Sequence, residues 1–189
     1  SCLPRHLYFP VHRPSPLEGE KEFSGTLALV MYIKICMLLI ALFSGVALAE
    51  LPGVLRWEVK RDMETTYRAV YQALEENRFF VVFEPDIGRN ISSFAERWGE
   101  DYNRSGLSSI RSMVFCNAWY TNQISNRDPD LLAMCPLHVT LYQQGETTHV
   151  VFIRPTHAGR GSGDAMPLLE ELEADVSKAI RAGVEAAGR

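Results

Sequence analysis

Two thiols and an imidazole are the groups in this sequence best equipped for chemistry. Cys116 and Cys135 bracket a polar stretch, and His138 follows the second cysteine in Met134-Cys135-Pro136-Leu137-His138. Two cysteines, a histidine and a nearby thioether supply the soft ligands that copper prefers. A blue-copper loop normally carries its axial Met downstream of the His, and none follows here. A thioredoxin-type centre needs its thiols two residues apart at a helix start, where the thiolate is stabilised; that spacing is also absent. The plainest reading is a structural disulfide between Cys116 and Cys135, which would stabilise the fold by about 3 kcal/mol in the chain-entropy model. A redox-active pair, or a copper site made by Cys116, Cys135 and His138, stays as the alternative.

A second constellation lies further on. His138, Thr140, Tyr142, His149, Val151 and Ile153 alternate with Leu137, Val139, Leu141, Val150 and Phe152 along two strand-like segments, so they share one face of a sheet. Tyr120 and His157 are expected at its edge. A face that mixes His, Tyr and aliphatic groups is solvated, buried in a homodimer, covered by another segment, or used to bind a ligand or partner protein. Gly159-Arg160-Gly161-Ser162-Gly163 could cradle an anion before a helix. No Lys-Ser/Thr follows it, so a flexible linker is the simpler account. The sequence contains no His-Glu-x-x-His, no Gly-x-Ser-x-Gly and no Cys-x-x-Cys-His. No residue is therefore assigned a catalytic role, and no cofactor is expected unless the copper alternative holds.

The elements that must position these groups follow from periodicity. Val54–Lys60 alternates as a half-buried strand. Asp62 caps a helix carrying Met63, Tyr67, Val70, Tyr71 and Leu74 on one stripe, with Asn77 expected as its left-handed stop. Phe79–Glu84 is continuously apolar, as for an inner strand covered on both sides. Ile91, Phe94 and Trp98 seat a short helix within the loosely patterned 85–106 segment. Leu107–Phe115 is a third strand, Asn117–Asn126 a short helix, and Asp128-Pro129 an N-cap followed by Pro at the first helical position. Leu137–Gln143 and Thr148–Arg154 form a hairpin about Gly145. A final helix opens at Asp164 and carries Leu168, Leu169, Leu172, Val176, Ala179 and Ile180. The expected fold is α+β: a single antiparallel sheet with two helices packed on one face, β-α-β4-α in order, plus short helical inserts.

The first part of the chain reads differently. Met31–Ala49 places Lys34 before an apolar run that ends in Ala47-Leu48-Ala49, the pattern of a cleaved signal peptide. Residues 1–30 show no periodicity and read as an upstream extension that is not native to the protein. The expected domain is residues 50–189, periplasmic or secreted, touching the membrane only through its signal segment. The alternative is an N-terminal membrane anchor. An oxidising compartment favours the disulfide. The whole chain has 189 residues, 47% of them hydrophobic and 22% charged, with a formal net charge of −4. That composition excludes a disordered or low-complexity protein, and its acidity argues against nucleic acid as a partner.

The stretch from Val114 to Pro155 resembles the core of a bacterial and archaeal family called domain of unknown function 302. The shared marks are Phe115-Cys116-Asn117, Asp128-Pro129 with Leu131-Leu132, Cys135-Pro136, and the hairpin ending in Pro155. The helix Asp62–Asn77 and the segment Phe79–Val82 match the family's opening elements. Two positions depart from its usual pattern: Asn77 stands where Gly is usual, and many members lack the cysteine pair. The resemblance implies a TATA-binding-protein-like fold in a protein often exported, and it brings no established activity. The resulting expectation is an exported module that binds a small molecule or a periplasmic protein, with a thiol-redox or copper-binding protein as the alternative.

Overall fold

Alternation of apolar and charged side chains makes Val54–Val59 the first strand, β1, with Leu55, Trp57 and Val59 turned toward the core. The computed structural model describes Leu29, Val30, Tyr32, Lys34 and residues 51–189. The four early residues are helical, and the expected signal segment and upstream extension otherwise lie outside the described residues. Among those described, no helix is long and apolar enough to cross a membrane.

Helix α1 (Met63–Glu76) starts at Asp62, whose carboxylate accepts from the Thr65 N–H at 2.9 Å. That bond satisfies one of the free amides of the first turn and holds the Asp62 carboxyl below its ordinary range. The helix ends one residue away from the expected pattern. Asn77 keeps φ −96° and donates its side-chain amide to the Ala73 carbonyl, while Arg78 takes the left-handed turn at φ 63°. Asn77 is thus a side-chain cap, and the positive φ passes to its neighbour.

Strand β2 (Phe80–Phe83) corrects a second expectation. It is an edge strand, not an inner one, because the sheet order is β1-β5-β4-β3-β2. Phe79 is buried just before it, but Phe80, Val82 and Phe83 are 52%, 64% and 62% exposed. A register shift between Val81 and Phe83 bends the edge, and Glu75 Oε1 accepts from the Val81 N–H at 2.7 Å. An apolar run alone could not distinguish an inner strand from this bulged, side-chain-capped edge.

The 85–106 segment supplies two short helices, α2 (Ile87–Ser92) and α3 (Ala95–Trp98), and α2 lies against β3 (Ser109–Cys116). Asn117 caps α4 (Ala118–Arg127) and accepts from the N–H groups of Trp119 and Tyr120. Asp128 caps the 3-10 turn Pro129–Met134. The hairpin strands β4 (Leu137–Gln144) and β5 (Thr147–Ile153) meet at Gly145, which has φ 59°. The segment after β5 is not a free linker. It forms helix α5 (Pro155–Ala158), buries Pro155 and Gly159, and leads through a 3-10 turn to α6 (Met166–Ala187).

All strand pairs are antiparallel. The helix-facing rows of the sheet contain Met113, Phe115, Val139, Leu141, Val150 and Phe152, all buried in one core with the stripes of α1 and α6. The two long helices pack side by side. A Cβ on Gly183 would meet the Val70 Cα at 2.6 Å, so only glycine permits this approach. The fold is a single five-stranded antiparallel sheet with helices packed on it, as the periodicity implies.

Candidate functional site

Pairing of Phe115 with Leu137 brings the end of β3 beside the start of β4, and so brings the two cysteines to one place. Cys116 Sγ lies 3.2 Å from Thr121 Oγ1, and Cys135 Sγ lies 3.9 Å from the same oxygen. Thr121 donates its own proton to the Asn117 carbonyl at 3.0 Å. Its oxygen is then left to accept from the S–H groups. The expected disulfide is not formed in this structure: both cysteines are free thiols, each contacting the hydroxyl that sits at their junction. Burial pushes the Cys135 thiol up, the Thr121 hydrogen bond opposes that, and the Cys116 sulfur adds to it. The thiols line a cavity of about 10 Å³ together with Phe115, Ile124, Leu137 and Leu172. That space holds at most one water.

His138 does not join them. It lies next along β4, is exposed, and lines a separate open cleft of about 360 Å³ at the end of the sheet. Leu131, Met134, Pro136, Phe152, Ile153 and Pro155 line the cleft with apolar surface, and Asp130 is a second polar group in the lining. Apolar walls with one or two polar groups are the usual make-up of a small-molecule site, and the volume is at the lower end of the range for such sites. The three-ligand copper set is not assembled. Among the described residues, no group of three or more His, Cys, Asp or Glu is placed to hold a metal ion.

The other members of the expected binding face are dispersed. Tyr142 and His149 stack with their ring centroids 4.7 Å apart. His149 is buried, with Arg56 Nη2 3.0 Å and Glu58 Oε2 3.4 Å from Nδ1. Burial and then the Arg56 charge lower its pKa, against a smaller opposing pull from Glu58. This group fills the middle of the sheet's second face instead of opening into the cleft. Tyr120 belongs to the helical side. Its ring stacks on Phe79 at 6.2 Å, and its hydroxyl donates to Asp175 Oδ2 at 2.7 Å. Burial and the Asp175 carboxylate push that hydroxyl's pKa well up. His157 sits on α5 against Gly53, with Nε2 3.0 Å from Arg160 Nη2.

Sequence reasoning missed two parts of the site. Thr121 carried no signal by itself, although Asn117 capping α4 places a residue four positions later beside the cap carbonyl. The cleft residues Leu131 and Met134 enter the sequence reading only as a family mark and as a thioether beside Cys135, not as the lining of a binding site. Their signal was the pair of apolar side chains on a one-turn helix immediately before Pro136, too short to bury them all.

Comparison with known proteins adds the family and nothing about activity. The model of the family described as "Domain of unknown function DUF302" matches residues 55–187. A crystal structure of an uncharacterized conserved DUF302 protein from Bacillus stearothermophilus is similar at a TM-score of 0.57 and 19% identity. The match covers 72% of this chain and 99% of that one. Among curated proteins, no significant match was found. With the family model spanning β1 through the last turn of α6, and a five-stranded sheet that matches a solved member, this chain belongs to the DUF302 family.

Proposed function

We propose that this chain is an exported module that binds a small, mainly apolar molecule in the cleft at the end of its sheet. The observation that supports this reading is the cleft itself. Leu131, Met134, Ile153 and Phe152 provide apolar walls around a space of about 360 Å³, and the exposed imidazole of His138 offers a single directional hydrogen bond. The expected signal segment at residues 31–49 supports a site of action outside the cytoplasm. A ligand of one or two rings, bearing one hydrogen-bonding group, matches that volume and polarity.

The test is fluorescence titration with N-phenyl-1-naphthylamine, an uncharged apolar probe. Saturable binding at one site is expected. His138→Ala should weaken it about three- to tenfold, the value of one hydrogen bond, and Ile153→Glu should abolish it by placing a charge in the apolar wall. Binding that ignores both substitutions, in variants that keep the wild-type melting temperature, would overturn the assignment.

A further inference from the structure

We infer that Cys116 and Cys135 form a reversible dithiol/disulfide site whose oxidation resets the wall of the cleft; the second half of this inference rests on the binding reading above. Two observations carry it. The thiols contact one hydroxyl, at 3.2 Å and 3.9 Å from Thr121 Oγ1, and neither is bonded. Cys135 also lies between Met134 and Pro136, both of which line the cleft. The thiol cavity and the cleft share Leu137 as a common wall.

A disulfide requires its sulfurs to close to about 2.05 Å and removes both S–H protons, so the Thr121 oxygen loses the two donors it now faces. Cys116 is held by the pairing of β3 with β2 and β4. Cys135 ends a single 3-10 turn, held there by the Asp128 cap and by its own N–H donating to the Leu132 carbonyl at 2.9 Å. That is a lighter hold than a strand paired on both sides, so the movement falls on the Met134–Pro136 side. Redox state and ligand are then coupled through one short backbone segment. By linkage, whichever form binds the ligand more tightly is the form the ligand favours.

The chemistry balances with a small disulfide, such as oxidised glutathione, as oxidant. One protein thiolate attacks a sulfur of the reagent, forming a mixed disulfide and expelling one glutathione thiolate. The second protein thiolate attacks the protein-bound sulfur of that mixed disulfide, forming the Cys116–Cys135 bond and expelling the second glutathione. The protein loses two electrons and two protons; the reagent leaves as two thiols.

The experiment uses the protein with Cys2→Ser and Cys36→Ser, equilibrated across a series of reduced-to-oxidised glutathione ratios. Samples are quenched with an alkylating agent and weighed intact. A single transition from two alkyl groups to none is expected, with a peptide map joining Cys116 to Cys135. Two alkylated thiols at every ratio, or a stable mixed disulfide with glutathione, would overturn the site. Amide spectra of the two forms then test the coupling. Shifts concentrated at residues 131–138, with at least a threefold change in N-phenyl-1-naphthylamine affinity, are expected. Unchanged amides there would overturn the coupling even if the disulfide forms. If the reduced protein binds no probe at all, the cleft reading fails by itself, and the amide shifts still decide whether oxidation moves the wall.

Discussion

Tyr142 and His149 sit opposite each other on β4 and β5 and stack with ring centroids 4.7 Å apart and planes at 26°. The imidazole is closed in on its other side by Arg56 and Glu58 from β1. A histidine on the sheet face away from the long helices is therefore a buried, neutral strut, and its protonation is opposed by both burial and a neighbouring guanidinium.

That arrangement sets a pH dependence. The folded pKa of His149 lies below the ordinary value near 6.5, so on acidification the unfolded chain takes up this proton first. The stabilisation is complete above about pH 6.5 and is lost as pH falls through the lowered folded value. The groups facing the ring are Arg56, Glu58 and Tyr142. Melting temperature should fall between pH 7 and pH 5 in the native protein. His149→Gln should flatten that slope while lowering the plateau. Thermal scans of both proteins at matched pH check it, and parallel slopes would refute it.

Tyr120 is buried on the helical side of the sheet, with its ring stacked on Phe79. Tyr120→Phe keeps the ring against Phe79 and removes only the hydrogen bond to Asp175. A loss of about 1 kcal/mol is expected, because exposed Asp175 regains water. Tyr120→Ala should cost about 3–5 kcal/mol. Urea denaturation measures both, and neither variant should alter probe binding at the cleft beyond its effect on the folded fraction.

Gly183 is the contact point of the two long helices. Gly183→Ala gains about 1 kcal/mol of helix propensity but drives a Cβ to 2.6 Å from the Val70 Cα. Backbone cannot rotate aside as a side chain can, and overpacking of this kind costs about 1–3 kcal/mol. Net destabilisation is expected, read as a lower urea midpoint with unchanged slope. A more stable variant would show that the helices separate freely.

Strand β2 leaves Phe80, Val82 and Phe83 exposed on a sheet edge. Edges of that composition pair with other chains unless blocked. Val82→Lys should lower concentration-dependent light scattering and leave the unfolding free energy within about 0.5 kcal/mol of the native value, since the side chain buries little. Scattering equal to that of the native protein would remove β2 as the sticky surface.

Much of the fold was legible because its elements are strongly periodic. β1, α1, the hairpin and α6 each carry an unambiguous stripe, and the caps at Asp62, Asn117 and Asp128 formed where a side-chain oxygen precedes helical residues. The inner-strand reading of Phe79–Glu84 failed because strand order is a tertiary property, and the capping of Val81 by Glu75 depends on how α1 returns to the sheet. The site was less legible for the same reason. Alternation placed His138, Tyr142 and His149 on one face correctly, but the register that brings Arg56 and Glu58 to His149 links β1 to β5, and no local pattern records it. His138 alone reaches the cleft because it stands where the sheet ends.

The pairing of β1 with β5 has a consequence for the order in which this domain can be made. Val54 is opposite Ile153, and among the described residues β1 has no other neighbour in the sheet. As the chain emerges from its amino end, β2 through β5 can assemble as a local meander, each strand beside the one before it. β1 has nothing to join until the last strand exists. Distant pairings of this kind are slow to form, although the entropy of closing so long a span grows only with the logarithm of its length. A nascent chain stopped before Thr147 would hold Leu55, Trp57 and Val59 without a sheet to cover them. Completion of the sheet is a single late event that ties the first strand of the domain to the last.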